Sequence, residues 1–112
     1  IKNVSSLSKA DIEWVSEYAC PGVVNDKMLV DIISKSCIES IGEENTKVLD
    51  ISSMGGEDFA YYLQKIPGAY FRIGSFDGNT TDIHTSDFDV DEQCIFTAIK
   101  VYASIVDNYF KS

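Results

Sequence analysis

Positive charge is scarce in this chain. Nine Lys and Arg stand against eighteen Asp and Glu, a formal net charge of −9, which is the wrong sign for displacing counterions from a phosphate backbone. Nucleic acids and anionic membranes are thereby excluded as partners. Cysteine is sparse too: Cys20, Cys37 and Cys94 are odd in number, far apart and without a Cys-x-x-Cys pair. Neither a disulfide framework nor a zinc ribbon follows, and reduced, buried thiols in a cytoplasmic protein are expected. No apolar run approaches the ~20 residues that span a bilayer, and no basic-then-apolar leader is present. The chain opens on Ile1, so a soluble piece of something longer is expected. Repeats and low-complexity tracts are missing. The sequons at Asn3 and Asn79 would matter only in a secreted protein.

Against these absences stand 112 residues, 45% of them hydrophobic, enough for one core. In residues 1–9, Ile1, Val4 and Leu7 or Ser8 have the spacing of a helix that ends there. Residues 11–20 alternate apolar and acidic positions, the pattern of a half-buried strand. Pro21-Gly22 breaks it, and a domain junction is expected at that point. Asn25 or Asp26 can cap the helix that follows. Its apolar stripe is Met28, Leu29, Ile32, Ile33, Cys37 and Ile41, with Gly42 as the stop. Residues 47–51 are short, β-branched and turn-bounded, and predict a strand.

The stretch from Ser52 to Phe59 ends that strand in small residues and the pair Gly55-Gly56, before the helical pattern of Phe59, Tyr62, Leu63 and Ile66. Unpaired amides at a helix start can bind an anion, and glycines let a ligand approach the backbone. Glu57 and Asp58 offer the alternative, since acids in a first turn stabilise the helix dipole themselves by roughly 0.3–1 kcal/mol each. After Pro67-Gly68, residues 69–74 predict another strand. Arg72, the one arginine, has either a surface ion pair or a substrate carboxylate as partner. A final amphipathic helix is predicted from the Asp89–Glu92 capping box onward, along Ile95, Ala98, Ile99, Tyr102, Ile105 or Val106, and Tyr109.

Between these last two elements lies the only histidine. His84 sits in the stretch 76–92 with six carboxylates, Asp77, Asp82, Asp87, Asp89, Asp91 and Glu92, and no basic residue occurs between Arg72 and Lys100. A lone imidazole there is a proton carrier, a metal ligand or a bystander in a solvated loop. Asp89, Asp91 and Glu92 are accounted for as helix-initiating residues. A calcium loop built on Asp87, Asp89 and Asp91 lacks the glycine and the twelfth-position glutamate such a loop requires. That leaves His84, Asp82 and Asp87.

The order SMGGEDFAYYLQKIPGAYFRIG, then DIHTSDFDVDE, then a long final helix resembles the C-terminal portion of the zinc-dependent aminoacylase and carboxypeptidase superfamily. The similarity is strongest to its N-acyl-amino-acid amidohydrolase branch, with hippurate hydrolase and the indole-acetyl-amino-acid hydrolases. Upstream, ACPGVVND resembles the segment that leaves the inserted lid. The resemblance implies an α/β fold in which residues 1–24 end an α+β lid domain and residues 25–112 form the last part of an αβα catalytic domain. It implies that His84 is the final ligand of a two-metal site, most typically zinc, with manganese or cobalt as alternatives. Asp82 or Asp87, with Asp58 as a further candidate, would orient its other ring nitrogen. Zinc would polarise the substrate carbonyl and activate water. Gly55 and Gly56 would form the substrate loop, their amides facing a carboxylate or a developing oxyanion. Glu57 and Asp58 match the family's acidic pair and are assigned loop positioning; a direct catalytic role is not assigned to Glu57.

The family's other metal ligands and its general base have no counterpart here. With one histidine the chain cannot build a two-metal site, so an inactive piece of a longer hydrolase is expected. Its substrates would be N-acyl amino acids or short peptides, and a homodimer through the lid is implied. The alternative is a free-standing acidic interaction module with a basic partner, in which His84 is incidental.

Overall fold

The computed structural model describes residues 13, 20–49, 52–76, 78 and 83–111. The helix end in 1–9, the strand in 11–20, and Asp77 and Asp82 lie outside the described residues, apart from Glu13 and Cys20.

Helix α1 spans Lys27–Ile41. Asp26 is its N-cap, the carboxylate accepting the Leu29 amide at 3.0 Å, which satisfies one of the otherwise unpaired first-turn donors. Asn25 is thereby released for other work. The helix stops at Gly42, which takes φ 90 and returns its amide to Ile38; a β-carbon there would meet the Glu44 carboxylate at 2.5 Å. A 3₁₀ turn, Glu43–Asn45, follows, and the Asn45 side chain caps the Ile41 carbonyl at 2.7 Å.

Helix α2 is short, Phe59–Leu63. The predicted pattern continued to Ile66, but the chain leaves the helix through a turn on the Tyr62 carbonyl, because Pro67 disfavours helical backbone in the residue before it. Gly68 then passes so near α2 that a β-carbon would lie 2.7 Å from a Leu63 methyl.

Helix α3 spans Gln93–Lys111. Its cap is shifted from the predicted capping box. The Asp91 carboxylate accepts the Gln93 amide at 2.9 Å, whereas Asp89 turns onto Val90. The reason is a tether, since the Asp91 amide is bound to the Ser75 carbonyl at 3.0 Å and fixes where the helix begins.

α1 and α3 pack on each other through small and polar residues. Ser36 is 0% exposed and Val101 1%. The Ser36 hydroxyl donates to the Ile32 carbonyl at 2.8 Å, and the Asn108 amide donates to Ser36 Oγ at 3.0 Å and Glu39 Oε2 at 2.8 Å. Small side chains at this contact let the helices approach, and the amide satisfies the polar atoms they bury. The predicted stripe of α3 is therefore corrected. Val101, with Cys94, Thr97, Ala98, Ser104 and Ile105, faces inward, whereas Ile95, Ile99, Tyr102, Val106 and Tyr109 remain about half exposed or more. Met28 of the predicted α1 stripe is likewise exposed.

Among the described residues there is no β-strand. Residues 47–49 are exposed, residues 50–51 of that predicted strand lie outside the described residues, and residues 69–74, predicted as a strand, have no ladder partner among the described residues; a strand exists only by pairing. The segment is nonetheless held. The Asn25 amide bonds both backbone groups of Tyr70, at 2.9 and 2.8 Å, in place of a neighbouring strand. Among the described residues, no helix is long and apolar enough to cross a membrane.

Two substitutions probe this framework. Asp26→Ala, which removes the cap, is expected to lower stability by about 1 kcal/mol. Asn108→Ala, which removes the polar contact between α1 and α3, is expected to cost about 1–3 kcal/mol. Urea unfolding followed by helical circular dichroism measures both.

Candidate functional site

The Gly55-Gly56 loop joins residues 52–54 to α2. Gly55 donates to Ser53 Oγ at 3.2 Å, a side-chain turn that pulls the loop back on itself. Neither glycine adopts positive φ. A β-carbon on Gly55 would lie 3.4 Å from Ser53 Oγ, and one on Gly56 3.7 Å from Cys20. The backbone does not require glycine at either position, so what they provide is an open approach to the chain.

The predicted anion site at the start of α2 is partly filled from within. Glu57 turns its carboxylate onto the Phe59 amide at 3.1 Å, and the Glu57 and Asp58 carbonyls take the amides of Ala60 and Tyr61. The Asp58 side chain makes no capping bond. A five-residue helix carries little dipole. The donors that make no hydrogen bond among the described residues are the amides of Gly56, Glu57 and Asp58. Glu57 is thus engaged within its own loop by the Phe59 amide.

Cys20 joins this loop, and sequence gave no sign of it. Its thiol, free and exposed, donates to the Glu57 carbonyl at 3.4 Å across 37 residues of chain. Only the fold brings the two together. The other thiols are free as well. Partial burial pushes the Cys37 thiol above its ordinary pKa, which lowers its reactivity.

His84 is the only non-glycine among the described residues with positive φ, at 69. This left-handed conformation costs an L-residue roughly 1–2 kcal/mol, and such outliers gather at functional sites. The residue opens a turn in which the Phe88 amide reaches the Thr85 carbonyl at 3.3 Å, and its side chain is exposed, as is Asp87. Asp82 lies outside the described residues. Asp89 and Asp91 are engaged by Val90 and Gln93, which removes both from a calcium loop. Arg72 is exposed and makes no ion pair among the described residues, so the predicted surface pair is not formed there.

No three His, Cys, Asp or Glu side chains among the described residues gather closely enough to hold a metal. A catalytic zinc takes three protein ligands, so this donor set does not by itself fit one. His84 itself is exposed.

Comparison with known proteins bears on these residues. The family model described as Peptidase family M20/M25/M40 matches residues 3–108. A protein of Synechocystis named Probable hydrolase sll0100 is 30% identical over the whole of this chain and 29% of its own length. N-acetyl-L-cysteine deacetylase of Bacillus subtilis is 34% identical over 80% of this chain and 20% of its own. N-acetyldiaminopimelate deacetylase of Exiguobacterium sibiricum is 31% identical over 92% of this chain and 25% of its own. The chain spans under a third of the length of these curated relatives. No solved structure matches it at a significant level. With a family model covering nearly all of its residues, the chain belongs to the M20/M25/M40 peptidase family.

Proposed function

We propose that these residues form the C-terminal part of a metal-dependent amidohydrolase that removes the acyl group from N-acyl amino acids or similar small amides. The observation that carries this reading is the family match over residues 3–108, together with relatives named as deacetylases of N-acetylated amino acids. In this reading residues 1–24 close a lid that carries a homodimer contact, and residues 25–112 belong to an αβα catalytic domain. His84 supplies one ligand of a divalent-metal pair, with zinc first among the candidates. Asp82 or Asp87, or else Asp58, holds the imidazole. The other ligands and the general base come from the rest of a family-length chain, so the 112 residues alone do not catalyse. The free thiols are in keeping with a cytoplasmic setting.

Two details of the geometry support the assignment of roles. His84 is held at a costly backbone angle in an exposed turn, where its imidazole can reach a group outside the described residues. The amides of Gly56, Glu57 and Asp58, which make no hydrogen bond among the described residues, are suited to a substrate carboxylate, which hydrogen-bonds well to backbone donors. Glu57 competes for an anion at Phe59, which restricts the site to the glycine side of the loop.

In the family-length protein, His84→Ala is expected to lower N-acetyl-amino-acid hydrolysis by at least about a hundredfold, since even outer partners of a ligand are worth 10–100-fold. His84→Asn, which tolerates positive φ, should show the same loss with the fold intact. Assays of hydrolysis and bound metal on both variants make the test, and retention of activity and metal would leave the acidic interaction surface as the better reading. Gly56→Ala separates loop structure from ligand approach. With a β-carbon in ordinary contact with Cys20, it should change stability by less than about 0.5 kcal/mol and raise KM about tenfold, the effect of one methyl group in a close contact.

A further inference from the structure

Helix α2 has little of its own to hold it. It has five residues, far fewer than an isolated helix needs, and among the described residues its backbone comes close to neither α1 nor α3. The segment 20–26 reaches it at both ends. At the entrance the Cys20 thiol donates to the Glu57 carbonyl at 3.4 Å, and its sulfur would lie 3.7 Å from a β-carbon on Gly56. At the exit the Asp26 amide donates to the Gly68 carbonyl at 2.8 Å. There the Asn25 side chain also holds Tyr70, donating to its carbonyl at 2.9 Å and accepting its amide at 2.8 Å. The chain held at the exit touches back on the loop at the entrance. The Tyr70 ring packs against that of Phe59 with centroids 5.9 Å apart, and a β-carbon on Gly68 would meet the same ring at 3.5 Å. Phe59 in turn gives its amide to the Glu57 carboxylate at 3.1 Å.

We propose that Asn25 is a positioning residue for the Gly55-Gly56 loop, acting through Tyr70 and Phe59, and that Cys20 is a second hold on the same loop. The inference rests on the reading of that loop as the substrate loop of a longer hydrolase. An amide side chain suits the task, because it carries a donor and an acceptor on one planar group and so engages both backbone groups of a single residue. With Tyr70 fixed, the Phe59 ring has a fixed surface to rest against, and the loop that ends at Phe59 keeps one path. Releasing either hold lets residues 55–58 take up other conformations, and substrate binding then has to order them again. That cost falls on the bound substrate and on the transition state alike, so it raises KM and spares kcat. A residue acting on the reacting atoms would lower kcat instead. Asn25 and Cys20 are both exposed, so truncating either opens no cavity in the core.

Two measurements on the family-length protein test this, comparing the unmodified chain with Asn25→Ala and Cys20→Ala. The first is hydrogen exchange read by mass spectrometry. Each variant is expected to speed exchange across residues 57–63 at least about tenfold and to leave α3 unchanged, as a local opening does. The second is steady-state hydrolysis of an N-acetyl amino acid. KM is expected to rise about tenfold in Asn25→Ala and about threefold in Cys20→Ala, whose thiol is a weak donor, with kcat kept within about twofold. Unchanged exchange across 57–63, or an equal rise there and in α3, would overturn the proposal. A fall in kcat at unchanged KM would overturn it too. Should Asn25→Ala fail to fold, Cys20→Ala alone decides by the same criteria. An unmodified protein that hydrolyses no N-acetyl amino acid would contradict the proposed function, and the exchange result would still decide whether segment 20–26 holds the loop.

Discussion

The contact between α1 and α3 holds the described part of the molecule together, and it depends on a polar group. Asn108 reaches from α3 to Ser36 and Glu39 of α1, and Ser36 is completely buried beneath it. An apolar residue at position 36 would leave that amide without one of its acceptors, and a larger one would push the helices apart. The small contact surface has a cost. With close approach achieved through serine, alanine and valine, the large apolar side chains of α3 are turned to the flank, where Ile99, Tyr102 and Val106 lie more than half exposed. A free-standing domain buries such residues to offset its conformational entropy. In the proposed reading the helix pair is one layer of a larger packing, as the relatives, more than three times as long, would allow.

The same framework sets the two stretches that carry chemistry. Asp26 caps α1, which frees Asn25 to grip Tyr70, and the chain from Tyr70 to Ser75 ends in the bond that fixes Asp91 and the start of α3. His84 lies in the excursion between Ser75 and Asp91. The loop 52–58 is tied separately, by Ser53 onto Gly55, Glu57 onto Phe59, and Cys20 onto Glu57. Acidic side chains that look alike in sequence therefore divide into structural carboxylates, at Asp26, Glu57, Asp89 and Asp91, and those left to act elsewhere.

The sequence made the local features legible. Gly42 as a stop, Asp26 as a cap, Pro67-Gly68 as a break and the long final helix all follow from backbone rules that act within a few residues. Membership of the family was legible too, because the glycine pair, the histidine and the acidic helix start recur in a fixed order. What escaped was long-range. Periodicity identified the apolar residues of α3 but not which flank meets α1, since that choice depends on where small residues such as Ser36 permit approach. Asn25 with Tyr70, Asn108 with Ser36 and Cys20 with Glu57 join residues 37 to 72 positions apart, and no local pattern marks them. Residues 69–74 read as a strand in the sequence, yet a strand is a property of a pair, and none of the described residues pairs with them.

The central claim concerns His84: a single exposed imidazole at positive φ is one corner of a metal site completed by the rest of a family-length chain. Anomalous diffraction from crystals of the metal-loaded family-length protein addresses it most directly. The account predicts a metal peak with an imidazole nitrogen of His84 at about 2.0–2.1 Å. A metal with its protein ligands complete and His84 remote from it would contradict the account.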